Sequence, residues 1–204
     1  MATIAPSQPR FSGAPSESAQ VLLLVDWINP LTHAGADPLR RPALDAARRT
    51  ARLKQRLTRS GVQSIYANDN YGVWRSDFRT LLKQCSESGG EAAEIAALLA
   101  PARNDITVVK PRHSAFYETP LQVLLQQLKA RELVIAGVAI EWCVLFTAMD
   151  AYVRGYSLWV PSDCIASASR EHHAAAVNYL GKVLGADVTP SVPSKMTLAS
   201  AKPR

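Results

Sequence analysis

Short, almost unbroken runs of Val, Ile, Leu and Ala alternate along the chain with longer stretches in which apolar residues recur every third or fourth position. The runs at 21–25, 62–67, 106–109, 133–136 and 157–160 have the length of strands. They lack the polar alternation of a half-exposed strand and so suit a sheet covered on both faces. A weaker run lies at 186–188. Helical spacing fills the intervals at 42–59, 91–99, 120–128, 142–154 and 170–184. Strand–helix alternation demands right-handed crossovers, which predicts an α/β fold: a three-layer αβα architecture around a doubly wound, mostly parallel sheet of five to six strands. Residues 1–19 and 190–204 are rich in Pro and Ser without periodicity. They are expected to be a flexible arm and tail around one domain at 20–189.

Open parallel sheets bind ligands beyond the carboxyl ends of their strands. Asp26 directly follows the first apolar run, Asn68 and Asp69 the second, Lys110 the third, and the stretch 137–143 the fourth. A polar residue that closes a strand is often only a turn or a cap. Four such ends, one carrying a lysine and one leading to a cysteine, favour a site. Cys143 opens the helical stretch that runs to Arg154, where the helix dipole favours a thiolate nucleophile. The alternative is a buried cysteine acting as a small hydrophobe. Asp26, set against apolar neighbours, is a candidate base, or else a cap for the segment that follows. Lys110 can hold the other two in register, or lie at the surface.

Length and composition narrow the class. At 204 residues with 48% hydrophobic and 20% charged, the chain is of one-domain size and globular rather than disordered. No apolar run approaches the ~20 residues of a membrane span, and no signal-like block opens the chain, so a cytoplasmic protein with no membrane partner is expected. Cys85, Cys143 and Cys164 lie far apart with no CxxC, which argues against a disulfide framework or a zinc cluster. The formal charge of +6 is concentrated around Arg48, Arg49, Arg52, Arg56 and Arg59, with Ala46, Leu53 and Leu57 on the opposite helix face. That is the pattern of a solvated basic face, and no nucleic-acid module accompanies it. A small-molecule substrate and no nucleic-acid partner are therefore expected.

Three blocks carry a resemblance to a known family. They are V-L-L-L-V-D-W-I-N-P at 21–30, K-P-R-H-S-A-F-Y-E-T-P-L at 110–121 and G-V-A-I-E-W-C-V-L-F-T-A-M-D-A-Y at 137–152. In order and spacing they resemble the isochorismatase-like cysteine hydrolases, which include nicotinamidases and N-carbamoylsarcosine amidohydrolases. The resemblance implies a catalytic triad of Asp26, Lys110 and Cys143. It also implies a cis peptide between Val138 and Ala139, and an oxyanion hole from the Ala139 and Cys143 N–H groups. The implied reaction cleaves a C–N bond of a small amide or ureido substrate. Asp26 takes the thiol proton, the thiolate attacks the carbonyl, an amine or ammonia leaves, and water activated by Asp26 hydrolyses the thioester. Relatives commonly assemble, so a homo-oligomer is expected.

Departures from the family pattern bear on the substrate. Ile140 stands where the family has a Thr. Nicotinamidases carry an Asp-x-His metal motif with a further His, a pattern that His33, His113, His172 and His173 do not make. The stretch N-D-N-Y-G-V-W-R-S-D-F at 68–78 stands in its place, so no catalytic metal and no cofactor are expected and nicotinamide becomes a weaker candidate. Asn68, Trp27, Tyr71, Trp74, Phe116 and Trp142 lie near the expected active edge and could line a substrate pocket, or simply cover the sheet edge. Two alternatives remain: an isochorismatase-type ether hydrolase, whose relatives lack the cysteine, and a binding protein that retains the fold without catalysis.

Overall fold

A computed structural model describes residues 15–75 and 77–192. Its strands are β1 (Gln20–Val25), β2 (Gln63–Asp69), β3 (Ile106–Lys110), β4 (Glu132–Val138), β5 (Ser157–Trp159) and β6 (Ile165–Ala166). They form one sheet in the order β3-β2-β1-β4-β5, with β6 also paired to β4, and every pairing is parallel. The helices are α1 (Asp37–Arg59), α2 (Phe78–Glu87), α3 (Gly90–Leu98), α4 (Leu121–Gln127), α5 (Leu145–Val153) and α6 (Arg170–Lys182), with a π turn at Ile140–Val144 leading into α5.

The central strand β1 shows why its sequence does not alternate. Leu22 and Leu24 join one apolar cluster with α1, α2 and α3 residues such as Leu39, Leu53, Phe78 and Ile95. Val21, Leu23 and Val25 join a second cluster with Leu121 and Leu125 of α4, Ala148 of α5 and Leu180 of α6. Successive side chains of a strand point to opposite faces, so two covered faces require an apolar residue at every position. The result is the expected three-layer sandwich. Helix α1 holds Ala46, Leu53 and Leu57 in the core. On its polar side Arg48 pairs with Glu94 at 2.6 Å and with Asp45 at 3.4 Å.

Several boundaries differ from the sequence expectation. Helix α1 begins at Asp37 rather than at Pro42, because Ala36 and Leu39 are buried and anchor an extra turn that keeps Pro42 within the helix. Helix α2 was not anticipated, although Asp77 caps it through the Thr80 N–H at 2.8 Å and Phe78, Leu81 and Cys85 form its buried stripe. The run at 186–188 contributes an isolated bridge, Trp159 to Asp187, instead of a strand. The two-residue β6 was also missed; it is too short to carry a periodic signal.

The arm and tail assignments fall largely outside the described residues, at 1–14 and 193–204. Within the described part, Ser18 is buried and its N–H donates to the Leu128 carbonyl at 2.8 Å. Ser191 is buried too, with its N–H 2.7 Å from Asp163 Oδ1 and its hydroxyl 2.9 Å from Oδ2. Among the described residues no helix is long and apolar enough to cross a membrane.

Candidate active site

The carboxyl ends of β1, β2 and β3 bring three charged side chains together. Register pairs Asp69 with Lys110 across β2 and β3, and Asp26 follows β1 directly. Asp26 has a left-handed backbone, φ 52°, a conformation in which Asp is several-fold enriched among non-glycine residues. Its N–H still donates to the Ala67 carbonyl, and its Oδ1 accepts from the Asp69 N–H at 2.7 Å. Lys110 Nζ lies 2.8 Å from Asp26 Oδ2 and 3.5 Å from Asp69 Oδ2, and both Asp26 and Lys110 are buried.

Burial and pairing compete in this group. Burial raises the Asp26 pKa above the ordinary carboxylate value, and the Lys110 cation and the hydrogen bonds from Cys143, Lys110 and Asp69 pull it partly back. For Lys110 burial works against the charge, yet the neighbouring Asp26, Cys143 and Asp69 leave its pKa above the ordinary lysine value. The net arrangement is an ammonium clamped by carboxylate, with the carboxylate closer to accepting a proton than an exposed one would be.

Cys143 reaches the same group from β4. Gly137 permits the approach: a Cβ there would collide with the Val25 carbonyl and lie 2.8 Å from Val25 Cβ, so β4 could not sit this close to the end of β1. The Val138–Ala139 peptide bond is cis. The π turn then presents Cys143 as its fourth residue, and π turns recur at functional sites. Cys143 Sγ lies 3.6 Å from Lys110 Nζ, and the Asp26 carboxylate is near enough to act on it electrostatically. The sequence reading expected the helix start to favour thiolate. The structure reverses the sign: burial first, then the Asp26 charge, push the thiol up, with Lys110 offsetting only part.

The remaining wall of the thiol is built by the segment after β3. His113 Nδ1 lies 3.7 Å from Cys143 Sγ. The His113 ring packs 5.4 Å from the Trp142 ring and 5.4 Å from the Phe146 ring, which are themselves parallel to within 2°. This segment is tied to α5 by two hydrogen bonds: the Ser114 hydroxyl donates to Asp150, and the Ala115 N–H donates to Thr147 Oγ1 at 3.0 Å. The second and third sequence blocks are thus physically docked on each other.

Of the expected pocket residues, three lie in the interior rather than on an open wall. Trp27 packs into the first apolar cluster because the chain turns inward after Asp26. Asn68 is buried and its amide donates to the Ile28 carbonyl at 2.9 Å. Phe116 is buried in the second cluster, with the Arg154 guanidinium 4.7 Å from its ring centre. Tyr71, Trp74 and Trp142 are exposed. Trp74 lines an open groove with Asn70, Val73, Pro111 and Arg112. Ile140 is fully buried in the second cluster, where its side chain serves packing. Asp69 and His113 were not singled out for the site by sequence; Asp69 was visible as a strand-end residue, whereas nothing in the spacing marks His113. Cys85 and Cys164 are buried, each thiol pushed up to about 11 by desolvation. Among the described residues no group of three or more His, Cys, Asp or Glu is arranged to hold a metal ion.

The family model of the isochorismatase domain matches residues 20–191. The isochorismatase family protein YaaI of Bacillus subtilis (strain 168) is 37% identical over 174 residues, 85% of this chain and 95% of its own. The phenazine biosynthesis protein PhzD of Pseudomonas fluorescens is 32% identical over 148 residues, 68% of this chain and 71% of its own. The crystal structure of nicotinamidase PncA from Bacillus subtilis matches with TM-score 0.67 at 25% identity, covering 84% of this chain and 99% of that one. N-carbamoylsarcosine amidase from Thermoplasma acidophilum shares the fold with TM-score 0.66 at 24% identity, covering 86% and 98%. The matched stretch contains the whole sheet and every charged group at its carboxyl edge, and the chain belongs to the isochorismatase family of hydrolases.

Proposed function

We propose that this protein cleaves a C–N bond of a small amide or ureido substrate through a thioester on Cys143, with Asp26 as base and Lys110 as the group that holds both. The observation that carries this reading is the chain of contacts from Cys143 Sγ to Lys110 Nζ at 3.6 Å and on to Asp26 Oδ2 at 2.8 Å, buried at the carboxyl edge of the sheet. The amidase chemistry named for the nicotinamidase and carbamoylsarcosine amidase neighbours supports it.

Asp26 accepts the thiol proton, for which its burial prepares it. The sulfur then attacks the substrate carbonyl, whose developing oxyanion is assigned to the N–H groups of Ala139 and Cys143. One such donor typically contributes ~3 kcal/mol to transition-state stabilisation. Lys110 keeps a positive charge beside the sulfur throughout and offsets the cost of charging a buried thiol. Collapse breaks the C–N bond, with the Asp26 proton passing to the leaving nitrogen. Water deprotonated by Asp26 then releases the acid and restores the thiol.

Ammonia release from a panel of small amides, ureido compounds and nicotinamide, with pyruvate release from isochorismate as a vinyl-ether arm, tests this reading in the wild type and in Cys143→Ala, with and without chelator. Release that depends on the cysteine and is indifferent to chelator is expected. Hydrolysis that survives Cys143→Ala would overturn the scheme.

A further inference from the structure

Among the described residues, one titratable side chain besides Asp26 and Lys110 lies against the reacting sulfur. His113 is half-buried, its Nδ1 is 3.7 Å from Cys143 Sγ, and its ring is fixed against Trp142 and Phe146. Its backbone is held from the next two residues by the Ser114–Asp150 and Ala115–Thr147 hydrogen bonds. A side chain placed this way cannot move off the thiol without breaking contacts to two aromatic rings and shifting a segment anchored to α5.

We propose that His113 is a further catalytic residue of this site, donating a hydrogen bond from Nδ1 to the Cys143 sulfur as the sulfur becomes thiolate. This rests on the cysteine-hydrolase reading above. Among the described residues, the groups that act on the sulfur are Asp26 from the end of β1, Lys110 from the end of β3 and His113 from the segment beyond it, with Asp69 of β2 acting on Lys110 and Tyr71 beyond β2 coupled electrostatically to the same group. Once its proton has left, the sulfur carries only lone pairs, and Lys110 Nζ takes up one side of it at 3.6 Å. The sulfur therefore turns lone pairs towards His113, and the imidazole nitrogen facing them must carry a hydrogen. In this role the ring carries a hydrogen on Nδ1, which a single-hydrogen imidazole can supply while Nε2 stays an acceptor.

The step balances without a proton from His113. The S–H proton passes to Asp26, the electron pair left on sulfur forms the C–S bond, and the carbonyl π pair moves onto oxygen. His113 keeps its hydrogen and stabilises the charge while it resides on sulfur. Lys110 does the same from the interior. The two donors act from opposite environments, one fully buried and one half-exposed, on an atom whose ionisation burial opposes.

The test needs no substrate. Alkylation of Cys143 by iodoacetamide is followed by peptide mass across a range of pH, with the fully buried Cys85 and Cys164 as internal references. His113→Phe keeps a ring against Trp142 and Phe146 and removes the donor; it is expected to react about tenfold more slowly at each pH, a profile displaced upward by about one unit. His113→Asn offers an amide N–H but cannot take up a proton, and is expected to recover most of the rate. A His113→Phe profile that superposes on wild type would overturn the proposal. So would a loss that Asn does not rescue, because that outcome makes His113 a base.

If His113→Phe does not fold, the imidazole nitrogen shifts of wild-type His113 decide: a hydrogen on Nδ1 supports the proposal and a bare Nδ1 overturns it. Hydrolysis that persists in Cys143→Ala defeats the cysteine-hydrolase reading separately, while the alkylation profile still reports on the His113–sulfur bond.

Discussion

The thiol of Cys143 lies between two walls that are built in different ways. The inner wall, Asp26, Lys110 and Asp69, is set by backbone register: three neighbouring parallel strands end together and their last side chains are delivered to one point. The outer wall, His113, Trp142 and Phe146, is set by side-chain contacts between an irregular segment and a helix. The inner wall is buried and charged, and its energy is electrostatic. The outer wall is half-exposed and aromatic, and its energy is packing. A charge pair in the interior is expensive to break because the surviving charge has no water to turn to. An aromatic contact at the surface costs only its own area and geometry. For stability, substitutions should therefore have large, pH-dependent consequences on the inner side and smaller, pH-independent ones on the outer side.

The largest effect is expected at Asp26. Asp26→Asn removes the proton acceptor while keeping shape, and turnover should fall by about a thousandfold, within the range of general-base loss. In the wild type the base works only when ionised, so kcat/KM should rise with pH through the Asp26 pKa. Burial raises that pKa, so the acid limb should lie above the ordinary aspartate value of 3.8. An acid limb at or below that value would detach Asp26 from the base role.

Lys110→Met comes next. It strands Asp26 as an unpaired buried carboxylate and should lower stability by ~3 kcal/mol at neutral pH, measured by urea denaturation. Without the lysine nothing but hydrogen bonds opposes burial, so the Asp26 pKa in the folded variant rises further and the native state binds a proton more tightly than the unfolded chain. The deficit relative to wild type is therefore full at neutral pH and above, and shrinks as pH falls through the raised Asp26 value. A deficit that stays constant with pH would show that lost packing of the lysine stem, not charge, dominates.

The two walls also differ in how far the sequence reveals them. Strand ends are legible because an unbroken apolar run followed by Asp or Lys states both where the strand stops and which atom it presents. That logic found Asp26 and Lys110, the parallel sheet and Cys143 beyond β4. It also explains Gly137, which no side chain could replace beside Val25. It failed where position depends on the path of a loop. Trp27 and Phe116 are aromatic residues beside the active edge in sequence, yet the left-handed turn at Asp26 sends one into the core and the Ser114–Asp150 anchor sends the other under Arg154. His113 was weighed only as a metal ligand; its proximity to sulfur arises from docking between segments thirty residues apart, which no local period encodes. Helix α2 had its cap and its stripe in the sequence but followed a polar stretch that reads as loop.

On the outer side the largest expected effect is at the anchor. Ser114→Ala removes the hydroxyl that donates to Asp150, a carboxylate that keeps Arg154 as a partner. A loss of ~1.5 kcal/mol is expected, typical of a hydrogen bond to a charged group, and it should not vary between pH 6 and pH 8. Because the same segment carries His113, kcat should fall more than KM rises; a change confined to KM would place the anchor's effect on substrate binding instead.

Phe146→Ala is the smallest change and the sharpest comparison with Lys110→Met. Phe146 is 44% exposed, so truncating it uncovers little core and leaves no charge unpaired. The expected cost is about 0.5–1 kcal/mol, the scale of an aromatic contact beyond its area. Its consequence should instead appear in Cys143 reactivity, because the ring holds one side of His113 while Trp142 holds the other. With one of two supports gone, alkylation of Cys143 should slow by about threefold, a part of what is expected for His113→Phe, while stability falls by no more than that ~1 kcal/mol. Reactivity equal to wild type would mean that Trp142 and the Ser114 anchor suffice to fix the imidazole. A stability loss as large as that of Lys110→Met would remove the distinction between the two walls, since it would make the outer one part of the core.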